Sequence, residues 1–203
     1  MDKQKLIIAS TNLHKIRELK GMLKGLPFDL YSLRDFPEYQ APEETGATFE
    51  ENAKLKAENA STLLGGLVIA DDSGLVVPAL GGKPGVYSAR YAGEGATDKE
   101  NCDKLISKLT SIEEKERNGY YECCLALARD GKTEKVVSGY AEGTLLTEMR
   151  GRSGFGYDPL FIKYDYSKTF AELDEEVKNR ISHRRKALDK MVTYIEGNVC
   201  ATS

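Results

Sequence analysis

No apolar run in the 203 residues approaches the roughly 20 that a membrane-spanning helix needs. The short stretch Leu6 to Ala9 near the N-terminus is too brief for a signal-peptide core, so the chain reads as cytoplasmic, with no membrane partner. Cysteine is sparse and unpatterned: Cys102, Cys123, Cys124 and Cys200 match no zinc or redox spacing. Adjacent Cys123 and Cys124 sit in an apolar run and would face opposite sides of a strand. All four are expected to be free structural thiols in a reducing compartment. Neither sign of charge dominates. A net charge of −3 does not favour binding to a long nucleic acid, and no segment interleaves basic and aromatic residues as an RNA-binding module would. Repeats, low-complexity tracts and clear linkers are missing too, so residues 1–203 read as one domain with two lobes.

What is present is the composition of an ordinary globule, 40% hydrophobic and 30% charged, long enough to bury a core without staples. Lys5 to Ser10 reads as a buried strand. A helix over Asn12 to Lys24 follows, with Ile16, Leu19, Leu23 and Leu26 at helical spacing, stopped by Gly25 and Pro27. Phe28 to Leu33 is a second strand, and 34–47, with Pro37, Pro42 and Gly46, a loop. Capping boxes at Thr48–Glu51, Thr97–Glu100 and Thr169–Glu172 predict three helix starts. Leu67 to Ala70 is a buried strand, broken at Asp71-Asp72-Ser73 before a second apolar segment from Gly74 to Leu80. Tyr120 to Arg129 and Thr133 to Tyr140 flank Asp130-Gly131, a hairpin signal. Leu160 to Lys163 is a further strand and Ser182 to Glu196 a last amphipathic helix. Strands alternating with helices around a hairpin predict an α/β fold with a mixed β-sheet flanked by helices.

Four segments concentrate chemistry. Ser10-Thr11-Asn12-Leu13-His14-Lys15 opens a helix directly after a strand, where unpaired amides and a partial positive charge suit a phosphate. The same residues also read as a plain helix cap, and the glycines of a Walker sequence are absent. Asp71-Asp72-Ser73-Gly74 closes a buried strand. Two adjacent carboxylates there need solvent, partners or a hard cation such as Mg²⁺, and otherwise serve a chain reversal. In Gly151–Pro159, glycines around Phe155 let backbone approach a flat ligand. Phe155 or Tyr157 could stack on a base and Asp158 could accept from a ring N–H, or the aromatics could simply fill a core. Lys178 and the run Ser182-His183-Arg184-Arg185-Lys186 form a basic cluster, read as an anion site or a solvated helix face. Lys56 lies four residues after Asn52 on one helical face, and Glu44 is a loop carboxylate.

Taken in order, these motifs resemble the inosine triphosphate pyrophosphatase family, the non-standard purine NTP pyrophosphatases. The resemblance runs through Ser10–Lys15, Thr48–Ala53 with Lys56, Ala70–Leu75, Leu80–Tyr91, Gly154–Pro159 and Ile181–Arg184. It implies an elongated sheet with two lobes around a central cleft, and a homodimer. Ser10, Thr11, Asn12, Leu13, His14 and Lys15 would hold the triphosphate. Asp72 would bind metal and act as base toward water, with Ser73 touching substrate and Lys56 facing the phosphates. Glu44 would be the second metal carboxylate, with Glu43 and Glu38 as alternatives. Phe155, Gly156, Tyr157 and Asp158 would line the base pocket, completed by Lys178, His183 and Arg184. Two positions depart from the pattern. Thr11 stands where many relatives carry Gly, and Arg152-Ser153 precedes Gly154 where Thr-Gly is common.

The implied reaction is attack of water on the α-phosphorus of ITP, dITP or XTP, with Mg²⁺ as cofactor and Mn²⁺ as a substitute ion. The rival readings are a pyrophosphatase for modified pyrimidine nucleotides and a non-catalytic nucleotide-binding regulator.

Overall fold

The computed structural model describes residues 3–199. It contains six strands in one mixed sheet of order β2-β1-β3-β4-β5-β6. β1 (Gln4–Ile8) pairs in parallel with β2 (Phe28–Ser32) and β3 (Leu67–Val76), whereas β5 (Lys132–Leu145) and β6 (Phe161–Lys163) pair antiparallel. β4 (Asn118–Arg129) turns into β5 through Asp130 and Gly131. Both turn residues have positive φ, 47° and 80°, as a two-residue hairpin demands.

The chain divides into two compact units. The first comprises Met1–Asp72, Cys123–Gly139 and Arg184–Ser203; the second comprises Ser73–Glu122 and Tyr140–His183. Each has its own core. In the first, Leu6 and Ile8 of β1, Leu67 and Ile69 of β3 and Cys123, Leu125 and Leu127 of β4 pack together. They bury the apolar stripes of α1 (Leu13–Leu23) and α5 (His183–Asn198), namely Ile16, Leu19, Leu23, Leu188, Met191 and Ile195. In the second, Leu105 and Leu109 of α3 (Asp98–Leu109) pack with Leu75, Tyr121, Phe161 and Phe170.

Two capping boxes start helices as expected. Thr48 caps α2 (Phe49–Leu64) and Thr97 caps α3, each with its reciprocal Glu contact. The third does not. Thr169 Oγ1 donates to Arg150 O instead of receiving an amide, and Glu172 forms an ion pair with Arg150. With the cap hydroxyl diverted, residues 169–172 close a single turn, and the helix α4 begins only at Glu175, running to Ile181. Arg150 and the Thr169 amide draw the Glu172 carboxyl down to about 2.

The expected break at Asp71-Asp72-Ser73 is absent. β3 is one ten-residue strand through both acids, because each carboxylate finds cationic partners and the backbone keeps extended. Among the described residues, no helix is long and apolar enough to cross a membrane.

Cys102, Cys123 and Cys124 are free and buried; Cys200 lies outside the described residues. Burial, then Asp98, pushes the Cys102 thiol up to about 12, and burial raises Cys123 well above the ordinary range. Thiols that neither ionise nor meet solvent react slowly. Iodoacetamide at pH 8, followed by peptide mass mapping, should leave these three unmodified in folded protein and label them in denaturant. Rapid labelling of Cys102 in the folded protein would contradict its burial.

Candidate active site

Side chains alternate along a strand, so β3 sends its two acids to opposite faces. Asp72 continues the row of Val68 and Ala70 and faces α2. Its Oδ1 accepts from Lys56 Nζ at 2.7 Å and its Oδ2 from Asn52 Nδ2 at 3.3 Å. The four-residue spacing of Asn52 and Lys56 thus delivers both to one carboxylate. Lys56 Nζ also donates to Glu44 Oε1 at 3.1 Å and to Asp71 O at 2.8 Å. Asn52 Oδ1 accepts from Gly46 N at 2.8 Å, tying down the loop that carries Glu44. Among the described residues Glu38 and Glu43 make no ion pair, so Glu44 is the loop acid that this cluster gathers. Two carboxylates meeting at one ammonium are hard oxygen donors of the kind Mg²⁺ takes together with water and phosphate, so the set fits that ion.

Asp71 continues the row of Leu67 and Ile69 toward α1 and α5. It pairs with Lys15, accepts from Arg184 Nε at 2.8 Å and lies 3.1 Å from Cys123 Sγ. Arg184 also pairs with Glu18, one turn after Lys15 on α1, and is 1% exposed. The two adjacent acids are driven apart. Burial pushes the Asp72 carboxyl up, and Lys56 and Lys15 only partly reverse it. Burial also acts on Asp71, but Arg184 and Lys15 overcome it and hold that carboxyl well below the usual range. Burial pulls the Lys56 ammonium down, yet Asp72 and Glu44 outweigh it and raise its pKa.

The segment before α1 is a genuine cap. Asn12 Oδ1 accepts from His14 N at 2.9 Å and Lys15 N at 3.2 Å, while Ser10 Oγ accepts from Asn12 N. Thr11, Leu13 and His14 are exposed, and Lys15 reaches to Asp71.

In the second unit, the glycine-rich segment wraps a buried ion pair. Asp158 Oδ2 accepts from Lys178 Nζ at 2.6 Å and from Phe155 N at 2.9 Å, and Tyr121 OH donates to its Oδ1 at 3.4 Å. Gly154 has φ +79°, and a Cβ there would collide with the Asp158 carboxylate, so only glycine lets the loop close over the acid. Lys178 Nζ stands 4.7 Å from the centroid of the Phe155 ring. The His183 ring stacks on Tyr121 at 4.7 Å and 9°. Tyr157 is buried and donates to Ser88 O at 2.8 Å. Ser73, directly after Asp72, opens this unit and is half-buried.

A family model described as the Ham1 family matches residues 6–194. The chain belongs to the Ham1 family. A dITP/XTP pyrophosphatase of Protochlamydia amoebophila is 55% identical to this Ham1 chain over 193 residues, 94% of this chain and 97% of that protein. Among solved structures, a HAM1 protein from Coxiella burnetii superposes with TM-score 0.87 at 38% identity, covering 96% of this chain and 99% of the other. The Staphylococcus aureus Ham1 protein gives 0.84 at 41%, with the same coverage of both chains.

Within this Ham1 chain, the sequence-derived candidates fall into separate groups. Glu44, Lys56 and Asp72 come together, as do Phe155, Asp158 and Lys178. Arg184 stands with Asp71 and Glu18 in the first unit. Sequence reasoning passed over Glu18, Tyr121 and the partner role of Asn52. Glu18 carried a usable signal, a lone acid among the apolar positions of the α1 stripe. Tyr121 carried none, because an aromatic in a strand looks like core.

Proposed function

We propose that this protein hydrolyses non-standard purine nucleoside triphosphates, namely ITP, dITP and XTP, to the monophosphate and pyrophosphate, cleansing the nucleotide pool. The observation that carries the reading is the Lys56 ammonium shared by Glu44 and Asp72. The name of the Protochlamydia relative supports the substrate class.

Water attacks the α-phosphorus, and Asp72 takes its proton. Lys56 holds Asp72 and Glu44 at one point and adds positive charge toward the phosphates. The hydroxyls of Ser10 and Thr11 and the Lys15 ammonium grip the triphosphate. Mg²⁺ held by Glu44 and Asp72 would neutralise phosphate oxygens and lower the pKa of the attacking water, and Mn²⁺ would substitute for it. Phe155 gives the base a stacking face. The Lys178 ammonium, placed beside the Phe155 ring by its bond to Asp158, reads the 6-oxo group. An adenine 6-amino group meets a donor there and is rejected. The protein acts in the cytoplasm as a homodimer, with nucleotide as its small-molecule partner.

Pyrophosphate release from ITP, XTP, GTP, ATP and dUTP, with and without Mg²⁺, tests the reading. Metal-dependent release from ITP and XTP is expected, with ATP slower by about 10⁴-fold. Release from dUTP alone would replace it with a pyrimidine substrate, and no release from any of the five would overturn catalysis.

A further inference from the structure

The base-side loop is held from α3 by two residues that no part of the proposed chemistry uses. Gly156 N donates to Asp98 Oδ2 at 2.7 Å, and Cys102 Sγ lies 3.4 Å from Gly156 O. Asp98 and Cys102 are four apart and share a helical face, so one turn of α3 grips both sides of a single residue. Asp98 is not needed for capping. Thr97 Oγ1 already accepts from Glu100 N, and Glu100 Oε2 from Thr97 N. Its carboxylate, favoured by the helix N-terminus, reaches across to Gly156 through Oδ2. The Cys102 thiol, pushed up to about 12 by burial and then by Asp98, stays protonated as a donor. Gly156 has φ +59° with open space around its missing Cβ, so conformation and not crowding makes the position glycine. A glycine in that region is soft unless its peptide groups are held.

We infer that Asp98 is a specificity-determining positioning residue: by fixing the Gly156 peptide it sets the Phe155 ring and Lys178 ammonium against the base. This rests on the reading of the second unit as the base-recognising half. Phe155 and Tyr157 flank the clamped residue, and two further bonds of the segment, Phe155 N to Asp158 and Tyr157 OH to Ser88 O, close the same frame. Asp98 acts through the loop, by its bond to Gly156 N.

The test compares wild type with Asp98→Ala and Asp98→Asn, the latter retaining an acceptor for Gly156 N. The readouts are kcat and KM for ITP and ATP, and inhibition by inorganic tripolyphosphate, which has no base. Asp98→Ala should raise KM for ITP and shrink the ITP-over-ATP preference by about tenfold to a hundredfold, since a small misplacement of a positioning group costs that much. Asp98→Asn should restore most of it, and the tripolyphosphate inhibition constant should not move in either. An unchanged ITP-over-ATP ratio in Asp98→Ala overturns the inference. So does a parallel rise in the tripolyphosphate constant, which would mark a general structural effect. Wild-type protein that releases no pyrophosphate from ITP or XTP sinks the proposed function and this inference together. An active, selective wild type with an unmoved variant sinks the inference alone.

Discussion

Asp72→Asn is expected to lower kcat for ITP by about 10³-fold or more while leaving the melting temperature close to wild type. The substitution is isosteric. Its amide oxygen still accepts from Lys56 Nζ, which now sits 2.7 Å from Oδ1, so the packing against α2 survives. What disappears is the proposed proton acceptor, worth about 10²–10⁴ in rate for general-base catalysis, together with one of the two carboxylates proposed to hold the metal. Stopped-assay pyrophosphate release at saturating Mg²⁺, paired with a thermal melt, separates these effects. A variant that turns over ITP at near wild-type rate would remove Asp72 from the chemistry. A variant that is inactive because it no longer folds would show itself in the melt.

Arg184→Met should act in the opposite way, on stability first. The guanidinium is 1% exposed and joins Asp71 to Glu18, themselves 2% and 6% exposed. Removing it takes the guanidinium away from two buried carboxylates, of which Asp71 keeps its pair with Lys15. Breaking such a buried pair typically costs about 3–5 kcal/mol. At about 2–4 °C per kcal/mol for a chain of this size, the melting temperature should fall by about 10 °C. The double replacement of Arg184 and Glu18 by apolar residues of similar volume should recover part of that loss, because Asp71 keeps its pair with Lys15 and the second buried carboxylate is gone. A melting temperature within 2 °C of wild type, combined with a raised KM for ITP, would instead place Arg184 at the nucleotide.

Much of the architecture was legible in the chain because it depends on local rules. Asn12, Thr48 and Thr97 start their helices through contacts that span two or three residues, and Asp130-Gly131 supplies the two positive φ values of its turn. The failures share a cause. At Thr169 the capping pattern is intact in sequence, but Arg150, nineteen residues earlier, takes the hydroxyl with its carbonyl and shares the Glu172 carboxylate with the Thr169 amide. At Asp71-Asp72 a polar pair reads as a strand end because its cations come from residues 15, 56 and 184. Partners that distant leave no mark on local propensity. The site divided along the same line. Lys56 and Asn52 were tied by helical spacing, and Asp158 by its glycines. The clustering of Arg184 with Glu18, and the Tyr121–His183 stack, required the fold.

The unbroken run of β3 through Asp71 and Asp72 ties chemistry to parity. Each acid's surroundings follow from whether its position along the strand is odd or even, so one inserted or deleted residue between Leu67 and Asp71 would turn both carboxylates to the opposite face of the sheet. Asp71 would turn away from Arg184 and Lys15, and Asp72 away from Lys56 and Asn52. This stretch can therefore drift in composition but not in length, and a single-residue indel there should be as damaging to turnover as losing the carboxylate itself.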